Sequence, residues 1–249
     1  MKKLYDKSEI LFALVWIVAY CLFMSVGDGI SAAIGLQKSA SLAVAVILSA
    51  LLLIFLKKNR LYAKYGLCLP KVSAAKMLFY IPVLLMLTAN LWHGIKLNLT
   101  VIESVLYVLT MLGVGFLEEI IFRGLLFGAM SKTGPKAAVI VSSLTFGIGH
   151  IINLFNGSGA ELLPNILQVI YASAAGFMFV MMYVRSGSLL YCIAAHGIFN
   201  ALSLLAPEPG SGTEQIITAL LLTLITLSYA IYLALAMRNE SQKEKKNDT

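Results

Sequence analysis

Long apolar runs recur along this chain and leave it one kind of fold. Eight stretches, about 10–27, 40–56, 77–93, 100–127, 137–155, 164–185, 188–206 and 215–237, are apolar over most of their length. Most come near the roughly 20 residues that a helix needs to cross the hydrocarbon core of a bilayer. The sequence therefore predicts an all-α, polytopic transmembrane helical bundle of about eight spans. Residues 1–249 read as a single integral membrane domain. With 59% hydrophobic and 12% charged residues and a mean hydropathy of +0.87, a soluble globular domain is excluded. The fourth run is long and is expected to tilt or to project into the cytosol. The short Gly187–Ser188 link makes runs six and seven an antiparallel pair. At the N-terminus, Lys2 and Lys3 precede an apolar run as in a signal peptide. Asp6 and Glu9 spoil that leader, and no small-x-small cleavage site follows directly, so a retained first helix is expected.

Charge orients the bundle. If both termini face the cytosol, 16 of the 19 basic residues fall on that side: Lys2, Lys3 and Lys7; Lys57, Lys58, Arg60, Lys64, Lys71 and Lys76; Lys132 and Lys136; Arg185; Arg238, Lys243, Lys245 and Lys246. Lys38 and Lys96 fall on the other side, and Arg123 lies within a span. This asymmetry follows the positive-inside rule. The net charge of +7 thus reports topology, not a nucleic-acid partner. The loop 57–76 is expected against anionic lipid headgroups, and residues 238–249 read as a disordered basic tail. Cys21, Cys68 and Cys192 show no paired spacing and no CxxC, so no disulfide framework is expected.

Ionisable groups within apolar spans mark functional sites, because a charge there costs about 2.5–3.5 kcal/mol on insertion scales. Glu118 and Glu119 lie side by side. On a helix, Glu119 shares a face with Arg123 four residues on, which leaves Glu118 free. Phe146 and His150 form a second such pair, with Gly147 and Gly149 to admit a neighbouring helix. His196 and Asn200 form a third, and both can donate hydrogen bonds to one point. Helical rise from the cytosolic ends puts Glu118 and His196 roughly 15 Å deep and His150 about 22 Å deep. A glutamate and a histidine can deprotonate water, and a second histidine with an asparagine can stabilise the oxyanion formed at an amide carbonyl. The same Glu and His side chains (Glu118, His150 and His196) could instead hold Zn²⁺. Other protease chemistries lack their residues. There is no HExxH. Asp28 belongs to a Gly27-Asp28-Gly29 triplet that reads as a loop turn, and Gly157-Ser158-Gly159 falls in an outer loop. Trp92 and His93, at a span end, are given structural roles.

The motifs EEIIFR, FGIGH and HGIFN fit EExxxR, FxxxH and HxxxN. In this order on separate membrane helices, they resemble the CPBP family of CAAX proteases and bacteriocin-processing, Abi-type enzymes. The resemblance covers about 77–206 and includes the segment VRSGSLLYCIAAHGIFN. It implies a bundle with a cavity open to the membrane and cytosol. Glu118 and His150 would activate water or bind a metal, and His196 and Asn200 would form the oxyanion site. Glu119 and Arg123 would support the geometry, with Phe146 packed beside it. The expected activity is endopeptidase cleavage of a membrane peptide or lipidated protein near the cytosolic interface, in a bacterial plasma membrane. The competing reading is non-catalytic: a bacteriocin-immunity scaffold, or a proton-coupled transporter using the buried Glu and His residues as a relay.

Overall fold

The computed structural model describes residues 1–73, 75, 80–156, 160–207 and 210–247, and every regular element among them is helical. Helix α1 is Lys2–Lys7, α2 is Glu9–Ile34 and α3 is Ser39–Lys58. Helix α4, Tyr80–Thr88, ends in a 3₁₀ turn at Ala89–Leu91. Helix α5, Val101–Glu118, runs on through a π-helical stretch, Glu119–Phe127, to Gly128–Met130. Helix α6, Pro135–Gly149, is extended by a 3₁₀ turn at His150–Leu154. Helix α7 is Leu162–Ser186, α8 is Leu190–Leu202 with a 3₁₀ turn at Ser203–Leu205, and α9 is Gly212–Asn247.

Among the described residues, six helical stretches are long and apolar enough to cross a membrane: Glu9–Ile34, Ser39–Lys58, Val101–Met130, Pro135–Leu154, Leu162–Ser186 and Gly212–Lys243. The chain is thus an integral membrane protein with an all-α, multi-span bundle. Two of the eight expected runs form shorter apolar helices, Ile81–Leu91 and Leu190–Leu205. The start of the first, at 77–79, lies outside the described residues, as does the Gly157-Ser158-Gly159 triplet.

Two local expectations are corrected. The Gly27-Asp28-Gly29 triplet is not a turn: α2 continues to Ile34 and stops at Gly35, whose φ of 75° gives the left-handed C-terminal cap. Helix α3 crosses so close at Gly27 that a Cβ there would sit 3.0 Å from the Ser41 Cα. Asp28 has a helical role, pairing with Lys38 at 2.8 Å and accepting from the Ser41 hydroxyl. The expected disordered tail is helical from Arg238 to Asn247. There Glu240 is held by a two-pronged pair with Arg185, at 2.8 and 3.2 Å.

The two ends of the bundle differ. At the basic end, Lys64 and Lys132 both reach Glu9 Oε1 at 2.7 Å. Burial alone would lower the Lys64 ammonium, but its bonds to Glu9 and Tyr5 raise it above its ordinary value. The loop after α3 is sewn to the α7–α8 turn: Lys71 N–H donates to the Ser186 carbonyl, Leu189 N–H to that of Gly66 and Ser188 Oγ to that of Cys68, at 2.8, 2.8 and 2.6 Å. The opposite end carries the Asp28–Lys38 pair and the start of α5. There Thr100 and Glu103 form a capping box, and Glu103 also accepts from Gln37 N–H.

Glycines set the helix spacing around the site. A Cβ on Gly115 of α5 would lie 2.7 Å from Gly197 N of α8, and one on Gly147 of α6 would lie 2.7 Å from Ser173 N of α7. Gly149 does not share this role, since its nearest contact would be the Phe122 ring at 4.0 Å.

Candidate active site

The acidic doublet sits where α5 changes from α- to π-helix. A π-helix is rare and is frequently found at functional sites. Its extra residues per turn reduce the angle between successive side chains, which helps neighbouring acids face one partner. That partner is His196. Its Nε2 lies 3.3 Å from Glu118 Oε2, and its Nδ1 lies 2.8 Å from Glu119 Oε1. An ionised carboxylate only accepts, so the Nδ1 proton points to Glu119. Arg123 Nη1 lies 3.1 Å from the same Glu119 oxygen, and neither side chain is exposed. Arg123 also lies 4.0 Å from the Phe146 ring centre and 5.4 Å from that of Phe179. These aromatic faces offset part of the cost of burying a cation whose remaining N–H groups have no acceptor among the described residues.

Phe146 links the three motifs. Its ring meets those of His150 and His196 edge-on, at centroid distances of 5.4 and 5.5 Å. Phe179 stacks on the His196 ring at 5.4 Å. His150 opens the 3₁₀ turn at the end of α6, where its carbonyl accepts from Asn165 Nδ2 at 2.8 Å.

Glu118, His150 and Asn200 line one cavity of about 320 Å³. His150, Asn200 and His196 line a smaller one of about 50 Å³ beside it. The seven motif residues therefore share one neighbourhood. Glu118, Glu119, Arg123 and His196 form the polar contact cluster, with Phe146 against it. His150 and Asn200 stand on the cavity wall.

Sequence reasoning missed Tyr20. Its hydroxyl donates to Glu118 Oε1 at 2.7 Å, from a helix that carries none of the motifs. The available signal was a hydroxyl in the middle of an apolar run. Phe179 and Asn165 gave no signal separable from ordinary packing.

The arrangement does not fit the suggested zinc set. Among the described residues no three His, Cys, Asp or Glu side chains are grouped to hold a metal ion, and Glu118, His150 and His196 are not gathered around one point. What the site does offer is a buried carboxylate with one oxygen fixed by a phenol and the other beside an imidazole. It opens on a cavity of mixed polar and apolar lining with room for water.

Over 85 residues, the chain is 34% identical to the "Putative membrane peptidase YdiL" of Bacillus subtilis (strain 168). The match covers 34% of this chain and 30% of that protein, so it spans less than a third of the relative's length. No solved structure matches. Residues 100–202, which hold every motif residue from Glu118 to Asn200, match the family described as type II CAAX prenyl endopeptidase, Rce1-like.

Proposed function

We propose that this protein is an intramembrane endopeptidase that hydrolyses a peptide bond of a membrane-associated peptide or protein, using water activated by Glu118. One observation carries the reading: a carboxylate 7% exposed, held between Tyr20 and His196, lines a cavity whose wall also bears His150 and Asn200. Glu118, with His150, would hold the water and take its proton. The hydroxide oxygen bonds to the carbonyl carbon while charge moves onto the carbonyl oxygen. Asn200 and His196 would stabilise that charge by donating hydrogen bonds to it. The C–N bond then breaks, and Glu118 returns its proton to the leaving nitrogen. Glu119, neutralised by Arg123, would fix the His196 ring.

The eight helical segments would cross the membrane eight times with both termini in the cytosol, as the basic end supports. A bacterial plasma membrane suits this reading, given the similarity to a Bacillus subtilis protein.

The test compares membrane peptidomes of cells carrying wild type or Glu118→Gln. Loss of a general base reduces turnover by about 10²–10⁴-fold. Products that vanish with the variant support the proposal. Identical peptidomes, with the variant still protecting cells from a bacteriocin, would favour the scaffold reading.

A further inference from the structure

The cavity beside Glu118 has a direction. It begins at Glu118, Phe122 and Phe146 and reaches Asp28, Lys38, Asn156 and Ser203. Along α2 its lining runs from Tyr20 to Asp28, toward the C-terminal end of that helix. Along α5 it runs back from Phe122 to Tyr107, along α6 forward to Asn153, and along α8 forward to Ser203. In all four helices this heads away from the basic loops.

The other side is closed twice over. Between Glu118 and the basic end lies a buried apolar layer that includes Phe12, Trp16, Leu52, Leu56, Ile121 and Leu125, none more than 6% exposed. Beyond it, the loop after α3 packs across the end. Tyr65 is 1% exposed, and backbone bonds tie this loop to the α7–α8 turn.

Building on the endopeptidase reading, we infer that the site takes its substrate from the face opposite the basic loops. The positive-inside rule makes that the outer face of a plasma membrane. The substrate is accordingly a peptide segment exposed on the outer side, such as part of an exported or secreted chain, and not a cytosolic lipidated tail. The lining chemistry agrees. The Asp28–Lys38 pair sits at the rim, and Asn90, Gln168 and Asn200 bring side-chain amides to the walls. Amides and hydroxyls suit the N–H and C=O groups of an extended peptide, and the apolar walls at Met24, Met111, Val114 and Phe199 suit its side chains.

Thiol labelling tests the route without knowledge of the substrate. Ser25 lines the cavity, while Cys68 lies at the basic end with its Sγ bonded to the Gly187 carbonyl. In a Cys21→Ala chain that retains Cys68, Ser25→Cys is exposed to a membrane-impermeant maleimide. Intact cells and inverted membrane vesicles are compared, and labelled peptides are identified by mass. Ser203→Cys repeats the test on another wall, and Gln37→Cys is the control at the opposite end. The expected result is labelling of Ser25→Cys and Ser203→Cys in intact cells, with Cys68 reacting only in inverted vesicles. Reaction of the cavity thiols from the cytosolic side overturns the inference, as does their silence from both faces while Gln37→Cys reacts. Labelling needs no catalysis, so the same pattern in a Glu118→Gln background keeps this test separate from that of the protease reading.

Discussion

At the scale of single residues, Tyr20 and Arg123 do different work around the same acids. Tyr20 holds one Glu118 oxygen and leaves the other toward His196. A hydrogen bond to a charged group contributes about 1.5–3 kcal/mol, so Tyr20→Phe should lower kcat/KM by about tenfold or more while the protein stays folded. Unchanged kinetics would deny Tyr20 any part in aligning the carboxylate. Arg123 is structural first. Removing one member of a buried ion pair costs about 3–5 kcal/mol, so Arg123→Met should reduce folded yield and melting temperature in detergent before any rate is measured. The donor geometry also predicts that a chelator leaves cleavage intact and that purified protein holds much less than one metal ion per chain. Stoichiometric zinc, with activity lost on its removal, would show that the site rearranges around a metal.

At the scale of helices, the i, i+4 spacing made Glu119–Arg123 and the position of Phe146 beside His150 legible, since both relations are local. It did not show Tyr20 meeting Glu118 across 98 residues of chain. A contact between α2 and α5 depends on tertiary packing, and a lone tyrosine leaves no spacing to recognise. Nor could hydropathy distinguish an α- from a π-turn at Glu119, because both bury the same apolar residues. The Gly27-Asp28-Gly29 triplet was misread because glycine serves close helix crossings as well as turns, and only the position of Ser41 separates the two. The crossing at Gly115 makes a sharper prediction. A methyl there would press on the Gly197 backbone, and overpacking costs about 1–3 kcal/mol. Gly115→Ala should therefore lower thermal stability and shift His196, reducing activity, while an equal melting temperature would mean that α5 and α8 separate easily. Gly124→Ala reverses the trade. Its Cβ would meet nothing nearer than 3.4 Å, and alanine favours a helix interior by about 1 kcal/mol. A higher melting temperature with slower turnover is expected if the π-turn is strained for function.

For the molecule as a whole, apolar runs and uneven charge were enough to read an all-α membrane bundle and its two unlike ends. The sequence was silent on which end the reaction chamber faces, because that follows from how four helices splay and where side chains fill the gap between them. The buried layer below Glu118 has an electrical consequence. Hydrolysis brings water about halfway through a bilayer, and a continuous wet path would let protons run down the membrane potential. Phe12, Trp16, Leu52 and their neighbours interrupt that path with hydrocarbon, so the proposed reaction could draw on solvent while the membrane remains insulating. Vesicles containing the wild type should therefore keep an imposed pH gradient as long as protein-free ones do, and a fast leak would mean that the seal opens during the working cycle.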